Sequence, residues 1–199
     1  MRVYLDPGHG GRNTGTKVGN IQEKTYTLAF ATKLKNALHN FYKDFDVALS
    51  REQDSYINNP DRARFANEWG ADLVISIHVN AHQRADVGGL MCFHVDAVGE
   101  EIGSKIMDCA PRGLKRTKSK SYLAQSDDWT KDAYACIEGY NAPVVLVELF
   151  FASNPSNLKQ GTSRPGTNAM LSAIIQGITL HETNLYFNGK LEDGIDKFK

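Results

Sequence analysis

Apolar runs alternate with helix-spaced segments along the chain, the order expected of an α/β domain. Residues 2–5 read as a short strand that runs into a Pro-Gly loop at 7–11. Over residues 22–41, Phe30, Leu34, Leu38 and Phe41 recur at helical spacing and predict an amphipathic helix. A second strand follows at 45–49. A second helix opens at Asn59-Pro60, with proline in its first turn, and stops at Gly70. Residues 73–79 read as an apolar strand of the kind buried on both faces at a sheet centre. Further elements are a strand at 90–95, a helix at 99–110 ended by Pro111, a strand at 144–151 and a closing helix at 167–181. The last residues are polar and glycine-interrupted. They divide the chain into a domain at 1–182 and a tail or linker stub at 183–199.

Composition narrows the class. The 199 residues are 41% hydrophobic and 23% charged, ordinary for one soluble globular domain with its own core. Lys plus Arg and Asp plus Glu both number 23, so the formal net charge is zero. That argues against a globally basic nucleic-acid binder and against general attraction to anionic membranes. The three cysteines, Cys92, Cys109 and Cys136, are odd in number and form no CxxC, so they read as small, mostly buried thiols of a chain made under reducing conditions. No stretch approaches the roughly 20 apolar residues of a membrane span. The N-terminal apolar run, Val3 to Leu5, is too short for a secretory h-region.

Two stretches fit no regular element. Residues 112–120 hold five basic side chains in nine and read either as a solvated loop or as a contact for an anionic polymer or a substrate carboxylate. Residues 127–131 place Trp129 between charges, a loop that could close as a flap beside a cleft.

Four residues carry candidate chemistry. His9 lies among glycines just past the first strand, where open α/β sheets place ligands; alone it reads as a surface histidine. His78 lies near the carboxyl end of the central strand and needs a polar partner there, as any satisfied core histidine would. Glu148 interrupts the apolar run 144–151. It must pair with a cation such as Arg51, point to solvent, or hold a raised pKa that suits a general base. Glu23 opens a helix, where the dipole favours a carboxylate. Together, two histidines and one glutamate match a three-ligand catalytic zinc site, with a second glutamate as base. Their spacing matches no short zinc motif.

The strings LDPGHGG, a Glu opening a helix, LSREQD, RARFAN, ADLVISIHVNA and VVLVELFFASN occur in this order from residue 2 to about 181. In this the chain resembles the zinc-dependent N-acetylmuramoyl-L-alanine amidases of the amidase-3 type, found among bacterial autolysins and phage endolysins. The resemblance implies a single α/β domain with a twisted, mostly parallel sheet of about six strands flanked by helices. It implies one zinc ion held by His9, Glu23 and His78, with Glu148 as the catalytic carboxylate. The substrate it implies is peptidoglycan, cut between the lactyl group of muramic acid and L-alanine. Asp6 is expected to accept the free ring N–H of a ligating histidine. Arg62, Ala66, Asn67 and Asn80 fall on family motifs as supporting residues, and no substrate-binding residue is assigned.

The chain departs from the family in Leu149, where a glycine is usual, and in a longer connection over residues 117–131. A monomer acting on the bacterial cell wall is expected. Without a visible export signal, release from the cytoplasm in the phage manner or a signal preceding residue 1 are both consistent. Other readings are a zinc peptidase or deacetylase on the same scaffold, or a wall-binding module without activity.

Overall fold

A computed structural model describes residues 1–42, 44–110, 112–114 and 121–195, with side chains described as far as 183. In chain order the elements are β1 (Arg2–Pro7), β2 (Lys17–Val18), β3 (Ile21–Gln22), α1 (Glu23–Phe41), β4 (Asp46–Leu49), α2 (Asn59–Trp69) and β5 (Leu73–Asn80). Then come β6 (Met91–His94), α3 (Ala97–Cys109), β7 (Ser121–Leu123), α4 (Lys131–Ile137), β8 (Val144–Phe151), α5 (Pro155–Thr162) and α6 (Arg164–Ile195). Six strands form one sheet in the order β4-β1-β5-β8-β6-β7. All neighbours are parallel except the antiparallel pair β6–β8. The fold is the expected α/β domain.

Strand parity divides the core. Val3, Leu5, Ile75, Ile77, Val145 and Val147 pack on one face with Phe30, Leu34 and Leu38 of α1, Ile102 of α3 and Ile174 of α6. Tyr4, Val74, Val144 and Leu146 pack on the other, with Ala66 of α2 and Ile137 of α4. The even-numbered positions Asp6, Ser76, His78 and Glu148 continue that second face toward the strands' carboxyl ends, because successive side chains alternate. A polar band therefore grows out of an apolar sheet face on β1, β5 and β8.

Two buried polar devices hold this end of the sheet. Arg62 Nη1 of α2 meets Asp6 Oδ1 at 2.5 Å and donates to the Pro7 carbonyl at 2.9 Å; both side chains are buried. Tyr140 Oη donates to Asp6 Oδ2 at 3.2 Å. Burial alone would raise the Asp6 carboxyl, but the Arg62 charge and hydrogen bonds from Ser50 and Arg62 outweigh it and hold it below its usual range. Asn157, fully buried in α5, accepts from the backbone N–H groups of Phe151 at 2.7 Å and Gly89 at 3.0 Å. It ties the end of β8 to the chain entering β6. Asn154 caps α5 through Asn157 N–H at 2.9 Å.

Several details differ from the sequence reading. Phe41 lies on the predicted helical stripe yet is 78% exposed, as the last residue of α1. The hairpin β2–β3, the strand β7 and the short helices α4 and α5 were not expected. Each is too short to show a period, and the pairing of β7 with β6 exists only in three dimensions. The closing helix starts at Arg164 and runs on to Ile195, across the boundary expected at 182/183. Isolated glycines such as Gly189 and Gly194 each cost a helix only about 1 kcal/mol and do not stop it. Of the basic stretch 112–120, residues 115–120 lie outside the described residues.

Asn157→Ala leaves two buried N–H groups without an acceptor, so urea unfolding should show a loss of roughly 2–4 kcal/mol. An unchanged midpoint would remove the clamp from the account. Asp6→Asn strands a buried guanidinium and should lose roughly 3–5 kcal/mol at neutral pH. The Asp6 pKa is depressed on folding, so its contribution is complete above the unfolded value of about 3.9 and vanishes as pH falls through the folded value. The stability gap between Asp6→Asn and the wild type should therefore narrow in acid; a gap that stays constant contradicts the pairing.

Candidate metal centre and catalytic cleft

Three adjacent strands bring the site together. Parallel pairing sets His78 of β5 level with Glu148 of β8. His9 follows β1, the other neighbour of β5. Glu23 arrives from the opposite face as the first residue of α1. Its Oε1 accepts from Val79 N–H at 2.8 Å and its Oε2 from Thr16 N–H at 2.7 Å, which fixes the carboxylate across the end of the sheet. The ring atoms His9 Nε2 and His78 Nδ1 each lie 3.1 Å from Glu23 Oε1. One ligand atom from each of His9, Glu23 and His78 lies within 4.8 Å of the others, a group able to hold a metal ion.

The backbone is shaped for this approach. His9 itself adopts a left-handed conformation, φ 61°, unusual for a residue with a Cβ and sustained by the reciprocal Gly10–Asn13 backbone pair. A Cβ on Gly8 would stand 2.3 Å from the His78 ring. A Cβ on Gly15, which has φ 61°, would stand 2.5 Å from Glu23 Oε2 and 2.6 Å from the His9 ring. Glycine at these two positions lets the loops close on the three side chains.

Proton placement tests whether the residues fit a cation. Asn13 Oδ1 accepts from Gly15 N–H at 3.1 Å, which marks that atom as an acceptor. His9 Nδ1, 3.0 Å from the same oxygen, is then the protonated ring nitrogen. In a neutral imidazole, Nε2 therefore presents a lone pair to the Glu23 carboxylate. Two acceptors facing each other need a positive charge between them, either a second ring proton or a metal ion. Two imidazoles and a carboxylate are a borderline-soft donor set of the kind zinc takes. Burial pulls the His9 pKa down, but the hydrogen bond and charge of Glu23 outweigh it and raise it. Burial likewise opposes Glu23 ionisation, but hydrogen bonds and charge from His78 and His9 hold its carboxyl well below the usual range.

Glu148 stands in the same cleft, which is lined by His9, Glu23, His78, Asn80, Asp132 and Glu148 among others. It is half-buried, and its Oε2 is sealed from solvent without a hydrogen-bond partner. Burial and the nearby Glu23 charge push its pKa well above the ordinary carboxylate value. Neither structural alternative for Glu148 holds. It has no ion pair with Arg51, whose guanidinium instead donates to the carbonyls of Pro7, Gly8 and Lys24 at 2.8–3.0 Å. Nor does it simply project into solvent.

The partners of the two histidines differ from the sequence expectation. Asp6 touches neither His9 nor His78 by a hydrogen bond; it is held by Arg62. The partner of the His9 N–H is Asn13, and Arg62 Nη2 adds a bond to the His9 carbonyl at 2.6 Å. Sequence reasoning missed Asn13, Thr16 and the carbonyl-binding role of Arg51. A turn asparagine and a loop threonine carry no distinguishing signal in one sequence. Cys136 lines the cleft as a neutral thiol, its pKa pushed up to about 12 chiefly by burial. Trp129, expected on a loop beside a cleft, lines a pocket that also holds Glu148. No helix among the described residues is long and apolar enough to cross a membrane.

Comparison with known proteins identifies the family. The family model described as N-acetylmuramoyl-L-alanine amidase matches residues 3–180. The N-acetylmuramoyl-L-alanine amidase CwlM of Bacillus licheniformis is 38% identical over 123 residues, which cover 58% of this chain and 48% of CwlM. The sporulation-specific N-acetylmuramoyl-L-alanine amidase of Bacillus subtilis is 36% identical over 134 residues, 63% of this chain and 52% of that protein. The chain thus spans about half the length of these curated relatives. The crystal structure of the N-acetylmuramoyl-L-alanine amidase from Clostridium difficile 630 superposes with a TM-score of 0.80 at 28% identity, covering 92% of this chain and 96% of that one. With a family match over nearly the whole described domain and a solved relative of the same architecture, this chain belongs to the N-acetylmuramoyl-L-alanine amidase family.

Proposed function

We propose that this chain is a zinc-dependent peptidoglycan hydrolase acting on the bacterial cell wall. The bond cut is the amide between the lactyl group of N-acetylmuramic acid and L-alanine of the stem peptide. The observation that carries the reading is the meeting, in one cleft, of the His9–Glu23–His78 group with a glutamate whose buried oxygen lacks a partner. The family match supplies the substrate class.

His9, Glu23 and His78 would hold the ion, and their two neutral imidazoles and one carboxylate leave part of its charge uncompensated. When bound, zinc supplies a Lewis acid and makes water nucleophilic near neutral pH. The remaining work belongs to the chain. Asn13 holds His9 in the tautomer that turns Nε2 inward. Val79 and Thr16 pin Glu23 through their backbone N–H groups, so it cannot swing away as charge changes around it. Glu148, with its raised pKa, is poised both to accept a proton and to return it. It takes a proton from the attacking water as the carbonyl carbon gains oxygen. It then delivers that proton to the alanine nitrogen as the C–N bond breaks.

Digestion of purified peptidoglycan should release stem peptides with a free L-alanine amine and leave sugar chains with free lactyl carboxylates, both identifiable by mass spectrometry. Cuts elsewhere in the peptide would overturn the assigned bond. Glu148→Gln keeps the shape of the side chain but cannot take the proton, so hydrolysis should fall by about 10²–10⁴-fold with zinc and fold retained. Wall lysis by this variant at a near wild-type rate would remove Glu148 from the role of base. His78→Ala should lose zinc together with activity; one full zinc equivalent in that variant would refute its role as a ligand.

A further inference from the structure

The cleft has two flanks of different chemistry, and Glu148 belongs to only one of them. On one side, Met91, Phe93, Phe151 and Trp129, with the polar His82 and Asp132 beside them, line a pocket with Glu148 in its wall. On the other, Asn13, Asn58, Asn59, Tyr56 and Arg62 line a pocket that includes His9 and His78 but not Glu148. The hollow between them touches His9, Glu23, His78 and Glu148 together.

The first flank presents a fixed aromatic platform. Trp129 is 64% exposed, unusual for so large a side chain. It is nonetheless braced edge-on against Tyr122, with ring centroids 5.1 Å apart, and against Phe93 at 6.0 Å. Phe93 and Tyr122 are register partners on β6 and β7, so the sheet itself supports the indole. The turn carrying it is tied by the buried Thr130, whose Oγ1 accepts from Gln125 N–H at 2.8 Å and whose N–H donates to Asp128 Oδ1 at 2.6 Å. The opposite flank is rich in side-chain amides, and there Arg12 stacks over Tyr56 at 4.4 Å.

We propose that the aromatic flank receives the stem peptide and the amide-rich flank receives the muramic acid sugar, with Trp129 as a specificity-determining residue for the peptide. This rests on the amidase reading above. Hydrolysis breaks the bond between the lactyl carbonyl carbon and the alanine nitrogen. Water gives its oxygen and one proton to the carbonyl carbon; its other proton passes through Glu148 to the nitrogen. The leaving nitrogen must then come within hydrogen-bond reach of Glu148. The peptide that continues from that nitrogen departs on the side where Glu148 stands, over the apolar wall and Trp129. The acyl half, with its sugar, extends the other way. The two linings agree with this. Methyl-bearing residues of a short peptide suit Met91, Phe93 and Phe151, whereas sugar hydroxyls suit the Tyr56 ring face and the amide atoms of Asn13 and Asn59 that their bonds to His9 and Ala135 leave open.

The test uses the zinc-loaded protein and two substrates with the same sugar, a muramoyl dipeptide and a muramoyl pentapeptide. Trp129→Ala should raise KM for the pentapeptide by about tenfold and change kcat and the dipeptide KM by less than about twofold. Trp129→Phe, which keeps a ring, should restore most of the loss. Binding gives a readout apart from turnover. The free pentapeptide should lose potency as a competitive inhibitor of Trp129→Ala, while free N-acetylmuramic acid keeps its own. An equal rise in KM on both substrates, or weakened sugar inhibition with peptide inhibition intact, overturns the assignment. If the wild type cleaves both substrates and Trp129→Ala matches it, the assignment alone falls. If the zinc-loaded wild type cleaves neither substrate, the amidase reading falls and takes the assignment with it.

Discussion

Parallel registration of β1, β5 and β8 is the constraint on which the rest depends. Ile77 lies beside Pro7 on one side and Val147 on the other, and one residue further on His78 lies beside Glu148. A slip of one residue between β5 and β8 would turn Glu148 to the opposite, apolar face of the sheet. The register is held by side chains far from the chemistry. Val74, Ile75, Val144 and Val145 are almost wholly buried and specify which face each strand turns inward. The apolar sheet thus aims the polar residues at its carboxyl ends.

The loop that carries His9 has no such sheet to aim it. Its order comes from buried guanidinium groups that take up carbonyls. Arg51 and Arg62 both donate to Pro7, Arg51 reaches on to Gly8, and Arg62 to His9. Two positive charges near one loop repel each other. Burial and the Arg62 charge lower the Arg51 pKa to about 10. Asp6 offsets this repulsion from below, so the carboxylate expected to serve a histidine directly instead serves the arginines that hold the histidine's backbone. The same buried charges allow His9 to keep a left-handed backbone, which an isolated turn would give up.

The helices that cover the sheet were largely legible in the sequence because their apolar spacing is long and regular. The pieces that were not legible are short and owe their form to neighbours. β7 is a strand only because β6 lies beside it. α4 begins within the segment read as a loop between charges. The aromatic cluster of Phe93, Tyr122 and Trp129 joins residues from two strands and a turn, and no spacing rule connects them. Phe41 shows the converse error. Its spacing suits a core residue, but it closes α1 and stays exposed.

For the candidate site, the sequence supplied the candidates: two histidines among glycines and strand ends, a helix-opening glutamate, and a carboxylate set in an apolar strand. Those are local anomalies, and local anomalies survive in a one-dimensional reading. Who touches whom is set by the folded chain. It gave Asp6 to Arg62 and Asn13 to His9, left Glu148 without the arginine that could have neutralised it, and set an aromatic and an amide-rich flank on either side of the cleft. The reason is physical. A buried charge takes the partner whose geometry lies within about 3 Å, and distances of that size between residues far apart in the chain exist only once the strands have paired.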